Sequence, residues 1–440
     1  MLIPLLSVGL FALVFLLVET EKVDRNYATV SGAALMLLLG GLFGFYTPRE
    51  ALHAIYFDTL ALIFGMSLIV HLLIRSGLFK ILARRVAGYS RGNAQLVLVL
   101  LILISYGLSL VVGNLATMVI LLPLTLALCG AVGLVPVPVV IAELIASNLG
   151  GASTLIGDFP NMVIGAAGHL HFDDFIGGMM VPCLWMLAML LVYCSARMVR
   201  IEAIEPLESA ESVKSVEFLY METPTLDRSL ARMGLGILGV TLLALVFAQP
   251  LGLQPSTIAF VAGVLVLTWG RVPQESLLKA MSGSDVLFFA ALFIMVGGLQ
   301  ATGVLAGIHG VIVTLGGGGA TPSLIVLMWI GALLTPFLNS GPTTVLLVPV
   351  ASVLAQEFPG SPVWWALALG ILAGSSATLT GATAGPVVAS QMVHQREAHR
   401  RTHSPGWVLD SGRYRKVGIP ITLFFLLFST LYLAVVSVSS

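Results

Sequence analysis

A chain of 440 residues that is 58% hydrophobic and 10% charged lies outside the soluble range of about 45–50% apolar and about 25% charged, so an integral membrane protein is expected. Its 21 Lys and Arg balance 21 Asp and Glu, which leaves no basic excess to hold nucleic acid, and a water-soluble enzyme with this surface would aggregate. Cys129, Cys183 and Cys194 lie in apolar stretches without metal-type or redox-type spacing; they read as small core residues, not as a disulfide framework.

In chain order, residues 2–18 have neither a basic leading region nor a small-residue cleavage site before Glu19-Thr20-Glu21-Lys22, and are predicted to be a first span and not a signal peptide. Residues 435–440 carry no lipid-anchor or retention signal. Spans are predicted over 2–18, 26–45, 59–75, 175–196, 231–250, 256–270, 285–301 and 417–437, near the roughly 20 apolar residues that a bilayer requires. The stretches 94–128, 135–168 and 320–356 are too long for one helix, and each has a polar interruption; 362–390 is of the same kind. Lys and Arg concentrate in 75–93, 197–232 and 391–416, which the positive-inside rule places in the cytoplasm. All three fall inside if 94–128 and 320–356 are re-entrant hairpins and 135–168 and 362–390 are broken helices that cross once. The expected fold is therefore an all-α polytopic membrane protein of about ten transmembrane helices, two hairpins and two broken helices, with both termini outside. Residues 78–91 interleave apolar and basic side chains and are expected to lie along the cytoplasmic interface.

The halves match each other in three places. Asp58-Thr-Leu-Ala-Leu-Ile-Phe is paralleled by Asp285-Val-Leu-Phe-Phe-Ala-Ala. Gly113-Asn114-Leu-Ala-Thr117 up to Pro123 aligns without a gap with Asn339-Ser340-Gly-Pro-Thr343 up to Pro349, and Gly150-Gly151-Ala-Ser153-Thr154 up to Gly157 aligns with Gly374-Ser375-Ser376-Ala377-Thr378 up to Gly381. Five crossings per half make the second copy inverted. This gives a first repeat over 1–196, a cytoplasmic linker over 197–230 and an inverted repeat over 231–440, the pattern of secondary transporters, whose sites lie where the repeats meet.

The segment 143–161 has Glu143 and Asp158 but no Lys or Arg, and combines Gly150-Gly151 with Pro160. Unwinding there would free carbonyls for a cation, while half-helix N-termini favour an anion. Asp158 reads as an ion ligand or proton carrier, or else as the cap of the second half-helix; Glu143 is a proton carrier or a protonated interhelical bond. Asn114, Thr117, Ser340, Thr343 and Thr344 at the hairpin tips are neutral ligands for sodium, donors to an oxyanion, or partners of their own turns. Asp58 and Asp285 are read as helix N-caps, and His71 as a bonded packing residue. His169, His171, Asp173 and Asp174 have ligand chemistry, yet they precede a helix, where capping and solvation compete with a metal site.

With those residues in place, 143–161 resembles the E-x-x-A-S-N-I-G-G-x-x-T-L-I-G-D-P-P-N signature of the ion-transporter superfamily, in its branch of arsenite-permease-like proteins and the melanosomal P protein. The hairpins look like the S-N-T motifs of the divalent-anion/sodium symporters of that superfamily. The resemblance implies a dimeric scaffold and a transport domain that moves elevator-fashion. It assigns Asn114, Thr117, Ser147, Asn148, Gly150, Thr154, Asp158 and Asn161 to one half-site, and Ser340, Thr343, Ser375, Ser376 and Thr378 to the other, with sodium at Asn114, Asn148, Ser340 and Thr378. Three departures stand out: Gly113 and Asn339 before the hairpin residue, Phe159 in place of the first proline, and Ala382 where the second copy would carry a carboxylate.

The expected function is secondary active transport of a small anion or oxyanion, such as a dicarboxylate or citrate, coupled to sodium or protons, with no cofactor beyond the coupling ion. Glu143 and Asp158 are the candidates for proton coupling. Expected partners are the solute, the lipid bilayer and a second copy of the chain. Arsenite efflux and sodium/proton antiport are the alternatives within transport, a channel lies outside it, and an enzyme would have only the 169–174 cluster to work with.

Overall fold

The computed structural model describes residues 2–19, 23–79, 93–132, 134–198, 226–269, 283–360, 362–398 and 408–439, with Ile81, Arg85 and Tyr89. Most of 78–91 and of the 197–230 linker lies outside the described residues, so the expectations for both concern residues not described. Among the described residues every element is helical.

The first half runs α1 (Leu2–Glu19), α2 (Arg25–Phe43), α3 (Pro48–Ala54), α4 (Phe57–Arg75), α5 (Ala94–Val112), α6 (Asn114–Val132), α7 (Pro136–Ala152), α8 (Phe159–Gly168) and α9 (Phe172–Ala196). The second runs α10 (Arg228–Val246), α11 (Pro255–Trp269), α12 (Gly283–Ala301), α13 (Val304–Leu315), α14 (Ala320–Leu338), α15 (Ser340–Glu357), α16 (Val363–Ser375), α17 (Gly385–Ala398) and α18 (Ser411–Ser439). Among the described residues seven helices are long and apolar enough to cross a bilayer singly; α12 and α13, bent by 71° at Thr302-Gly303, make an eighth if counted as one span. Shorter apolar helices, including α7, α11 and α16, supply the rest of the membrane-embedded mass.

Each interruption has a local cause. Gly113 and Asn339, the aligned residues that separate α5 from α6 and α14 from α15, both have positive φ, 84° and 68°. That conformation, with ψ near 160°, is reached freely by glycine and costs another residue about 1–3 kcal/mol. Asn339 is held there by its Nδ2, which donates to the Thr380 carbonyl at 3.0 Å. The departures at these two positions thus fall where the backbone makes its sharpest demand. The breaks after α7 and α16 leave Ser153–Asp158 and Ser376–Ala384 without helix.

Two readings of the sequence are corrected. Asp58 and Asp285 do not cap their helices: Tyr56 is the N-cap of α4, and both carboxylates sit inside the first turn. Asp58 accepts from Ser256 Oγ at 2.6 Å, and Asp285 pairs with Arg25 of α2. His71 is not bonded through Nε2, which is buried without a partner. Two short elements were absent from the predicted order, α3, closed by a Thr47/Glu50 capping box, and α13.

Burial sorts the helices. Almost every residue of α7 and α16 is buried, whereas α1, α2, α9 and α11 turn large apolar side chains outward, among them Leu42, Val192 and Trp269. In water such a surface would be a liability; in lipid it is the expected exterior. The helices that lead into the two breaks, α7 and α16, are therefore at the centre of the packing. Small residues let neighbours approach: at Gly65 an added Cβ would lie 1.9 Å from the Ala259 carbonyl, which brings α4 and α11 into backbone contact.

Candidate functional site

The hairpin tips meet the breaks, and the same contacts recur in both halves. Thr154 Oγ1 donates to the Leu110 carbonyl at 2.6 Å, and Thr378 Oγ1 to the Pro336 carbonyl at 3.3 Å. Leu110 and Pro336 stand at the same distance in sequence before Gly113 and Asn339. A Cβ on Gly150 would meet the Tyr106 carbonyl and Ser109, and one on Gly374 would meet the Ala332 carbonyl and Thr335, again aligned positions.

In the first half Asn114, the first residue of α6, is the hub. Ser109 Oγ donates to its Oδ1 at 2.6 Å, which fixes the amide so that Nδ2 donates to Asn148 Oδ1 at 3.2 Å and to Asp158 Oδ2 at 2.9 Å. Asp158 Oδ1 accepts from the Phe159 amide at 2.9 Å, which makes it the N-cap of α8 as well. Asn148 Nδ2 then donates to the Ser375 carbonyl at 3.2 Å, and this bond joins the two breaks.

The remaining expected residues divide by what their donors do. Ser147, Ser375 and Ser376 donate to carbonyls of their own helices, Leu144 for the first and Leu372 for the other two. Thr343 and Thr344 do the same with Asn339 and Ser340. Their oxygens keep lone pairs but have no proton left for an anion. Thr117 Oγ1 is buried without a partner. Ser340 Oγ and Thr383 Oγ1 lie 2.9 Å apart, and the α15 N-terminus has no side-chain cap. Gly150 serves by close packing.

Asn161 was expected to touch solute or ion. Its Nδ2 is directed at the carbonyls of Thr154, Ala152 and Gly151, at 2.7, 3.0 and 3.2 Å, so it holds the break in shape. Asn161→Ala would strand buried carbonyls, at about 1–3 kcal/mol for each lost partner. The thermal midpoint in detergent is expected to fall, and an unchanged midpoint would deny Asn161 this part.

Glu143 is fully buried on α7, where Oε1 accepts from Thr125 Oγ1 at 2.8 Å and from Ser105 Oγ at 3.4 Å while Oε2 has no partner. It ties α7 to both arms of the hairpin. The residues missed in the sequence are these helpers: Ser105, Tyr106 and Ser109 of α5, Thr125, Thr380 and Thr383. The signal available was the 105–109 cluster of polar residues within an apolar run. At the end of α8, His169 is the C-cap and the His171 amide donates to Asp174 at 2.7 Å, so capping is what this cluster does.

Comparison with known proteins agrees with this architecture. The citrate transporter family model matches residues 15–370. Magnetosome protein MamN of Magnetospirillum gryphiswaldense is 40% identical over 435 residues, 98% of this chain and 99% of that protein. MamN of Paramagnetospirillum magneticum is equally similar over 436 residues. An uncharacterized transporter of Mycobacterium tuberculosis is 28% identical over 393 residues, 87% of this chain and 89% of its own. Among solved structures the Alcanivorax borkumensis YdaH transporter shares the fold, with a TM-score of 0.54 at 18% identity, over 91% of this chain and 88% of that one. These findings, with the apolar helices, make the protein a multi-pass membrane transporter rather than an enzyme. The expected superfamily is thereby found, and the chain belongs to its citrate transporter family.

Proposed function

We propose that the protein is a secondary active transporter for a small carboxylate or oxyanion, coupled to Na+ or H+. The observation that carries this reading is the bond network from Asn114 to Asn148 and Asp158 and on to the Ser375 carbonyl. It gathers a carboxylate, amide oxygens and freed carbonyls at two helix breaks, with no Lys or Arg among its members. The first half-site is rich in acceptors and suits the coupling cation. The second has Ala382 in place of a carboxylate and the uncapped α15 N-terminus, where amides and the helix dipole favour an anion. A bound cation at Asp158 offsets the repulsion between carboxylate and solute, and this couples the two. The family description names citrate, which supports a carboxylate-bearing solute.

In this reading 1–196 and 231–440 are inverted repeats, the hairpins and broken helices move together past the outer helices, the termini lie outside and the working unit is a dimer. Sodium/proton antiport is the second reading, favoured by Glu143 Oε2, a buried carboxylate oxygen without a partner. Solid-supported membrane currents from proteoliposomes separate the two. Citrate, succinate, sulfate, phosphate and arsenite are each presented with sodium, potassium or a pH gradient. A saturable, cation-dependent current with one anion is expected; response to sodium or pH alone, with none to any anion, would replace symport by antiport.

A further inference from the structure

A cavity of about 220 Å³ lies where the start of α4, the turn between α8 and α9, and the turn between α10 and α11 come together. Its polar lining is Asp58, His169, His171, Gln249, Gln254 and Ser256. The helices that frame it, α4, α9 and α10, each have their opposite end at a basic loop, at Arg75, Arg197 and Arg228. The cavity therefore opens on the face away from those loops.

Leu155, which has no exposed surface, is part of its lining. Leu155 lies against Gly165 of α8, where an added Cβ would come within 2.3 Å of its Cδ1. It belongs to the same non-helical segment as Thr154 and Asp158, so the cavity wall reaches the break at this residue. Aromatic rings pack beside Phe159, the residue that follows the break. Phe159 packs on Phe289 at 5.0 Å, Phe289 on Phe288 at 5.2 Å, and Arg25, paired with Asp285, lies 5.3 Å from the Phe288 ring centre.

The lining chemistry is that of a weak acceptor of anions. Two primary amides and two imidazoles offer N–H donors, no Lys or Arg is present, and the one carboxylate, Asp58, is engaged by the Ser256 hydroxyl. Among the described residues no group of His, Cys, Asp and Glu is arranged to hold a metal ion, so the two histidines are not read as a metal set. Neutral hydrogen bonds can dock a carboxylate without trapping it, as an approach to a transport site requires.

We propose that this cavity is the docking site through which a carboxylate or oxyanion solute reaches the break from the face opposite the basic loops, with Leu155 as its floor and gate. The proposal rests on the anion-transport reading above. Two variants, Gln254→Cys at the rim and Leu155→Cys at the floor, test it in the full chain, whose own three cysteines are buried. A membrane-impermeant methanethiosulfonate reagent is applied to each face of oriented vesicles, with and without citrate, succinate or sulfate, and currents are recorded from the same preparations. Both cysteines are expected to react from the face opposite the basic loops, Gln254→Cys the faster. The anion that gives current is expected to slow both reactions at least threefold (about 0.65 kcal/mol of occupancy at RT of about 0.59 kcal/mol), and labelling is expected to block the current. Reaction of Leu155→Cys only from the basic face, or an anion that drives current yet protects neither cysteine, would overturn the cavity assignment and leave the transport reading standing. Absence of current with every anion would overturn the anion-transport reading, and the proposed solute with it.

Discussion

Asp158→Asn is expected to weaken cation-coupled transport about 10- to 100-fold, read as membrane current against sodium concentration and pH, while the chain still elutes as a single species. The estimate follows from a charge-assisted hydrogen bond, worth about 1.5–3 kcal/mol, at about 1.4 kcal/mol per tenfold in affinity. The geometry is unforgiving. Ser109 fixes the Asn114 amide, so its Nδ2 faces position 158. The carboxylate serves that donor with one oxygen and the Phe159 amide with the other. An amide has one oxygen for the two donors and sets an NH2 group against one of them. The substitution also removes the sole carboxylate of the two breaks, since Ala382 stands in the aligned place. A variant with unchanged sodium and pH dependence would remove Asp158 from the coupling site.

The sequence revealed the breaks better than the bonds across them. Gly150-Gly151, Pro160 and Asp158 within an apolar run mark an interruption because each disfavours a buried continuous helix, and α7 does stop at Ala152 and resume at Phe159 as α8. Likewise the Gly113/Asn339 alignment marks the two places where α5 gives way to α6 and α14 to α15. What periodicity could not supply was partner identity. Asn161 and Asn148 are the same residue type, thirteen positions apart in the chain (148 to 161), yet one clamps the carbonyls of its own segment and the other reaches the second break. That difference depends on where α16 lies, which no local pattern encodes. Asp58 and Asp285 failed as caps for a similar reason: tertiary partners, Ser256 and Arg25, draw in carboxylates that local preference would place at the cap. The bend into α13 escaped because α12 stops at Ala301 and Gly303 is already the N-cap of the next helix, so that only Thr302 stands between the two boundaries.

Gly150→Val tests whether the two halves close by the same contact. A Cβ at Gly150 would stand 2.2 Å from the Tyr106 carbonyl oxygen, and one at Gly374 2.6 Å from that of Ala332. Both obstacles are backbone inside a helix, so relief requires α5 to part from α7, or α14 from α16. Overpacking of this kind costs about 1–3 kcal/mol and occasionally more. Separation would also stretch the Thr154 bond to Leu110 and the 2.9 Å contact between Tyr106 OH and Ser153 Oγ, which hold the break against the hairpin. Gly150→Val and Gly374→Val are therefore each expected to lower the thermal midpoint in detergent and to reduce current at least tenfold, at about 1.4 kcal/mol per tenfold. Gly107→Val, one residue from Tyr106 on α5 but with nothing within 4 Å of its added Cβ, is expected to change stability by no more than about 0.5 kcal/mol. If Gly150 alone were sensitive, the matched packing of the second half would carry no weight in the working protein, and the pairing of the two breaks would be a resemblance of sequence without a shared mechanical role. Equal sensitivity at both, against the silent neighbour, is what a transport body assembled from two copies of one hairpin-and-break unit requires.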